Sequence, residues 1–146
     1  MHPLKPLAAL LLLAATAAMA QPTAPSALGR WITESGNLEV DIAPCGDALC
    51  GTVVRVLANR SMSAPGAELQ PADGKPALGM QILSDLRAGA AGEFEGQIYN
   101  RENGKHYAVV VQPAEPDQLR VHGYVGLRLF GKTQVWRRPA TAGAAR

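Results

Sequence analysis

The two cysteines of the chain, Cys45 and Cys50, are separated by four residues in the stretch CGDALC. A redox pair favours the spacing C-x-x-C at the start of a helix, where the helix dipole lowers the pKa of a thiol. A metal site needs about four clustered ligands, and the neighbouring sequence offers neither feature. The intervening residues predict a turn between two strands, which brings the cysteines opposite each other within reach of a disulfide. We therefore predict a structural disulfide.

Other titratable side chains do not form a recognisable catalytic or metal-binding pattern. His106 and His122 are predicted to face each other on the outside of a sheet, but no third ligand accompanies them. Glu93 and Glu95 share one strand face, whereas the carboxylates of a glycosidase must approach the substrate from opposite sides. The sequence has no G-x-S-x-G, P-loop or H-E-x-x-H motif. We therefore predict a protein that is not an enzyme and has no catalytic residue, metal or cofactor.

Arg55 lies in a predicted strand, and two pairings of that strand give it opposite orientations. If Cys45 and Cys50 are directly opposite each other, strict alternation points Arg55 inward. A buried guanidinium then requires an anionic partner, such as the carboxylate of a ligand. If Pro44 introduces a β-bulge, Arg55 points outward instead. Both alternatives remain open from the sequence.

Residues 1–20 have the pattern of a secretory signal peptide: Lys5, an apolar run and the cleavage motif Ala18-Met19-Ala20. The apolar run is too short for a permanent transmembrane helix. Cleavage leaves 126 residues, enough for one domain, with 13 basic and 12 acidic residues because Lys5 is the only charged residue removed. Such a balance argues against nucleic-acid binding. We therefore predict a periplasmic or secreted protein that is not an integral membrane protein.

Inside the mature chain, one domain at residues 29–138 is predicted to be all-β. Residues 21–28 and 139–146 are rich in Pro, Ala and Thr without periodicity, and we interpret them as a linker and a flexible tail. Short alternating apolar runs predict eight strands, at residues 29–33, 37–42, 51–57, 78–83, 93–100, 105–112, 118–124 and 127–137. In this order they form an antiparallel meander, and closing it into an eight-stranded up-and-down barrel removes its exposed edges.

The interior of this barrel can be predicted from one turn. Asn103-Gly104 favours a two-residue type I′ turn, which would place Ile98 opposite Val109. Continuing across the next loop, Val109 would lie opposite Leu119. With this pairing the apolar residues share one face: Phe94, Ile98, Tyr107, Val109 and Val111. An eight-stranded barrel is either filled by such side chains or holds one small ligand.

Residues 58–77 form a predicted loop of about twenty residues between two strands. Loops of more than about 15 residues in a compact domain are usually functional or disordered. Two alternatives therefore stay open: a lid over one mouth of the barrel, or a disordered insertion.

Five motifs occur in order along the domain: G-x-W at 29–31, APCGDALCGTVV at 43–54, G-x-x-I-L at 79–83, G-x-I-Y-N with N-G-K-x-Y at 96–107, and G-K-T-Q-V-W-x-R at 131–138. Together they resemble the bacterial domain of unknown function family 2147. The resemblance covers residues 29–138 and implies an exported protein with a lipocalin-like (calycin) barrel, but no activity. It departs from the family in the long loop, where only Asp73-Gly74-Lys75-Pro76 remains of the usual pattern.

The lipocalin resemblance also implies one structural contact. In lipocalins an arginine on the last strand packs over the tryptophan of G-x-W and closes the bottom of the barrel. Trp31 and Arg138 match these two positions, with Arg137 as a substitute for Arg138. Such a cation–π contact would join the first strand to the last.

Two functions are compatible with these features. The first is an exported, non-enzymatic protein that holds a small apolar or amphipathic ligand, such as a fatty acid, inside the barrel. Its predicted lining residues are Trp31, Arg55, Phe94, Ile98, Asn100 and Tyr107. The alternative is a module that binds or inhibits an envelope protein through its loops and outer face. A cavity in the barrel favours the first, and a solid interior with an exposed apolar patch near residues 58–77 favours the second.

Overall fold

Eight β-strands form a closed barrel in the computed structural model, which describes residues 2–4, 15–19 and 26–140. The strands are β1 (Gly29–Ile32), β2 (Leu38–Cys45), β3 (Ala48–Val56), β4 (Gln81–Ala88), β5 (Phe94–Asn100), β6 (Lys105–Ala114), β7 (Gln118–Tyr124) and β8 (Lys132–Arg137). Each strand is antiparallel to the next, and β8 pairs with β1. Most of the predicted signal peptide lies outside the described residues. Among those residues, no helix is long and apolar enough to cross a membrane.

The predicted eight-stranded antiparallel up-and-down barrel is thereby confirmed; the bounds of most strands differ from the prediction, and those of β4 and β8 differ most. β4 continues to Ala88. Its polar residues are accommodated by a bulge between Ser84 and Arg87, where Asp85 has a φ of 51°. β8 begins at Lys132 because residues 128–130 form a 3₁₀ turn. That turn is held beside β7 by the carbonyl oxygen of Arg128, which lies 2.6 Å from Nε2 of His122.

The predicted turn between β5 and β6 is wrong. A four-residue loop, residues 101–104, joins the strands, and Ile98 pairs with Tyr107 rather than with Val109. The side-chain oxygen of Asn100 accepts hydrogen bonds from two backbone N–H groups of this loop, at 2.9 Å and 3.3 Å. These local bonds stabilise the longer loop against the two-residue turn.

The predicted register between β6 and β7 is also wrong, because β6 continues to Ala114, which pairs with Gln118 across a three-residue loop. Val109 pairs with Gly123 rather than with Leu119. His106 lies on β6 and is paired with a residue of β5, whereas His122 lies on β7 and is paired with residues of β6 and β8. The two histidines are therefore not opposite each other. Both register shifts involve an even number of residues, and the predicted inward face is therefore preserved.

The core lies inside the barrel and is built mainly from alternate residues of the strands, although β5 contributes only partly buried side chains. Its largest fully buried side chains are Trp31, Val40, Ile42, Val53, Leu83, Leu86, Val109, Val111, Leu119, Val121 and Trp136. Gly96 on β5 permits a close approach of the bulged β4, since an added Cβ would clash with the carbonyl oxygen of Ser84. Gly96 therefore serves the packing of two neighbouring strands.

Cys45 and Cys50 form the predicted disulfide, with their Cα atoms 5.8 Å apart. They are not directly opposite each other, because the turn contains only Gly46 and Asp47 and Cys45 pairs with Ala48. The positive φ of Gly46, 64°, is compatible with so tight a turn.

Arg55 points out of the barrel, which corrects the alternative that placed it inside. Val40 pairs with Val53, whereas Glu39 pairs with Arg55, so the strands bulge between these two pairs rather than at Pro44. Nη1 of Arg55 lies 3.0 Å from Oε2 of Glu39, a carboxylate with a side chain only 3% exposed. The guanidinium thus has a partner on the outer face, and Val53 takes the inward position.

Candidate functional site

One end of the barrel is closed by Trp31 and Arg138, as the lipocalin resemblance implies. The guanidinium carbon of Arg138 lies 3.8 Å from the centroid of the Trp31 ring. Nε1 of Trp31 donates a 2.8 Å hydrogen bond to the carbonyl oxygen of Ala27, which is itself buried. Residues 26–28, the last part of the predicted linker, therefore pack against this closed end.

A cavity of about 260 Å³ lies toward the opposite end and is partly open to solvent. Its apolar wall comes from Leu38, Leu69, Ile82, Ile98, Val121 and Trp136. Polar residues from the ends of strands line its mouth, among them Thr33 after β1, Asn100 at the end of β5 and Lys132 at the start of β8. The site therefore combines an apolar interior with a polar entrance.

Residues 57–80, which we name the lid loop, connect β3 to β4 and form part of this cavity. Leu69 is 2% exposed and lines the cavity together with Met62. The backbone N–H of Ala72 donates a 2.9 Å hydrogen bond to the carbonyl oxygen of Arg101 on the opposite rim. The structure thus favours the lid over the disordered insertion.

Glu102 fastens the lid loop to the barrel. Its carboxylate accepts hydrogen bonds from the hydroxyl groups of Ser61 and Ser63 and from the backbone N–H of Met62, the last at 3.1 Å. These bonds, chiefly the one from Ser61, lower the pKa of Glu102. The carboxylate form of Glu102 is therefore the form that holds the lid loop.

Acidification is expected to release this contact. Because the pKa of Glu102 is lower with the lid attached than in an unfolded chain, about 4.3, the contact contributes stability above that value and loses it as pH falls through the lowered pKa. The amide proton of Met62 should therefore shift when NMR spectra are recorded from about pH 7 to about pH 3. Glu102→Gln is the control, in which this titration should vanish. A Met62 amide with the same titration in both proteins would contradict the assignment.

The structure brings only part of the predicted site together. Three of the predicted residues line the cavity: Ile98, Asn100 and Tyr107. Trp31 is 1% exposed and belongs to the closed end, and Phe94 packs against the core. Arg55 lies on the outer face with Glu39. The predicted inward face is thus shared between a filled core and a cavity.

Sequence reasoning missed two basic residues of the cavity, Arg101 and Lys132. Arg101 follows Asn100, the last residue of β5, and a basic residue beside a turn is ordinarily solvated. In the structure it is 8% exposed, because the lid loop packs against the loop that carries it. Its position directly after a cavity-facing strand was the only signal available in the sequence.

Comparisons with known proteins agree with this fold. The model of a family described as "Uncharacterized protein conserved in bacteria (DUF2147)" matches residues 29–138, which include all eight strands. Among solved structures, the chain is similar to the Helicobacter pylori protein HP1028, described as belonging to the lipocalin family. The two share 18% sequence identity with a TM-score of 0.58, over 80% of this chain and 85% of the other. This likeness shows a lipocalin-like fold. No curated protein matches the chain.

Proposed function

The chain belongs to DUF2147, a family of uncharacterized bacterial proteins, and we propose that this member is a non-enzymatic protein that binds a small apolar or amphipathic ligand in its barrel. The observation that carries the proposal is the cavity of about 260 Å³ with an apolar interior and a polar entrance. An apolar chain that enters it would leave water, which is favourable. An eight-stranded barrel is large enough for one small ligand, and the lipocalin-like fold supports the same use.

The size and lining of the cavity narrow the class of ligand. Pockets for drug-sized molecules occupy about 300–1,000 Å³, so this cavity fits a smaller molecule such as a medium-chain acyl compound. Ile98, Val121 and Trp136 would contact the hydrocarbon, whereas Asn100 at the end of β5 lies where a polar head group would sit. A fatty-acid-like molecule has this division between its two ends.

The proposal places the protein in the periplasm or outside the cell. The disulfide between Cys45 and Cys50 supports this location, because disulfides persist in oxidising compartments. The signal-peptide pattern of residues 1–20 supports it independently.

A second candidate function, contact with another envelope protein, is favoured by the loop between β7 and β8. Its large apolar side chains are exposed: Val125 by 71%, Leu127 by 66%, Leu129 by 85% and Phe130 by 74%. Exposed apolar clusters often mark interaction surfaces. This cluster lies outside residues 58–77, where the sequence-based criterion expected it, and it leaves the cavity unexplained.

Direct binding measurements test the first function. The purified protein, stripped of bound lipid, is titrated with decanol and with decanoic acid by calorimetry, and the complexes are weighed by native mass spectrometry. We expect one molecule bound per chain with a dissociation constant on the order of micromolar for at least one of them. If the protein binds neither decanol nor decanoic acid, ligand binding is rejected and the second candidate function is left.

A further inference from the structure

Arg101 is a buried cation without a counter-ion within the part of the chain that the structure describes. The residue is 8% exposed. Its Nε is the only buried side-chain nitrogen or oxygen atom there that has no hydrogen-bond partner. None of the ion pairs found there includes it. Because a guanidinium cannot lose its proton in a protein, burying its Nε without a hydrogen-bond partner is costly.

Acidic residues near Arg101 are engaged elsewhere. Glu102 holds the lid loop through Ser61, Ser63 and Met62. Asp73 accepts a 2.9 Å hydrogen bond from the hydroxyl of Tyr99 and another of 2.9 Å from the backbone N–H of Lys75. No acidic residue is among the described residues that line the cavity. The charge of Arg101 is therefore not neutralised by an ion pair with any residue that the structure describes.

A second positive charge enters the same cavity. Lys132, at the start of β8, lines it together with Arg101, so both charged residues of the lining are basic. The hydroxyl oxygen of Tyr107, also in the lining, accepts a 2.7 Å hydrogen bond from Nδ2 of Asn103, which leaves its own proton to donate. These groups together favour an anion at the polar mouth.

We propose that Arg101 forms an anion-binding subsite of the cavity, which selects ligands with a carboxylate head group. The planar guanidinium matches a carboxylate in two parallel hydrogen bonds, and Lys132 adds charge at the entrance. The apolar wall then takes the hydrocarbon of the same molecule. The inference rests on the proposed binding function and adds to it the chemical class of the ligand, a medium-chain carboxylic acid.

Decanoic acid and decanol test the subsite because they share a chain and differ in the head group. The unsubstituted protein should bind decanoate more tightly than decanol. In Arg101→Met, binding of decanoate should weaken roughly 10- to 100-fold, whereas binding of decanol should not weaken. Arg101→Lys should retain part of the preference for decanoate over decanol, because lysine keeps the positive charge but lacks the planar guanidinium that makes two parallel hydrogen bonds. Arg120→Gln, on the outer face of β7, is the matched control and should bind both as the parent does.

Stability of the ligand-free protein provides a second readout. Removing a buried charge without a partner is expected to raise the melting temperature in Arg101→Met, whereas a purely structural arginine would lower it. Equal affinity of the parent for decanoate and decanol would overturn the subsite while ligand binding stands, and so would unchanged decanoate binding in Arg101→Met. Binding of neither compound would instead reject the proposed function, and the subsite with it.

Discussion

Replacing Gly123 with phenylalanine is expected to abolish ligand binding while the barrel stays folded. Gly123 lies on β7 and lines the cavity. A Cβ added there would lie 3.6 Å from Cγ2 of Ile98 and 3.9 Å from the carbonyl oxygen of Ala108, which are ordinary contact distances. The backbone therefore accepts a side chain at this position, and an aromatic ring attached to it would occupy a large part of the 260 Å³ cavity.

Calorimetric titration of Gly123→Phe with decanoic acid measures this effect. We expect affinity to fall by more than about 100-fold, equivalent to losing about 3 kcal/mol of binding free energy. Gly123→Ala is the matched control, because a methyl group leaves most of the cavity open. Circular dichroism and thermal melting establish that both variants fold. A folded Gly123→Phe protein that binds decanoate as tightly as the parent would place the ligand outside the barrel.

Replacing Arg138 with alanine is expected to lower the free energy of unfolding by about 3 kcal/mol. β1 and β8 are paired at one position, Ile32 with Arg137, so the seam that closes the barrel is short. Arg138 spans it, because its guanidinium donates hydrogen bonds of 2.8–3.2 Å to the carbonyl oxygens of three residues in the range 26–30. The same group stacks on Trp31. Its removal takes away both contributions at once.

Urea unfolding followed by tryptophan fluorescence measures this loss. Arg137→Ala is the matched control: the side chain is adjacent and exposed, and its loss should change the free energy of unfolding by less than about 0.5 kcal/mol. Arg138→Lys should fall between the two, because it keeps the charge over Trp31 but loses the forked hydrogen bonds. A loss in Arg138→Ala no larger than in Arg137→Ala would show that the seam is held by other contacts.

The number of strands and the inward face could be predicted from the sequence. Val109 and Val111 share one face of their strand whichever neighbours they pair with, because successive side chains alternate and an even shift of register leaves the face unchanged. The predicted pairing of Ile98 with Val109 was wrong, since the side chain of Asn100 stabilises a longer loop. Turn conformation thus decided the register, and alternation decided the face.

The orientation of Arg55 shows where local pattern stops being sufficient. Val53 and Val54 are adjacent apolar residues in this strand, so its sequence does not show which of them faces inward or where the bulge between Val53 and Arg55 lies. The bulge places Arg55 against Glu39, a carboxylate that also accepts a contact from Arg30 on β1 at 3.3 Å. This arrangement requires three strands at once and therefore arises only in the assembled sheet.

The candidate site was determined partly by sequence and partly by tertiary structure. Alternation and the apolar composition of the strands determined a barrel with an apolar interior, because each strand must bury one face. Only tertiary structure decided that part of this interior remains open and that Arg101 is buried at its mouth. Burial of Arg101 depends on the lid loop, whose Leu69 and Ala72 come from about 30 residues earlier in the chain. Contacts of such sequence separation follow from the closed barrel and cannot be derived from local spacing.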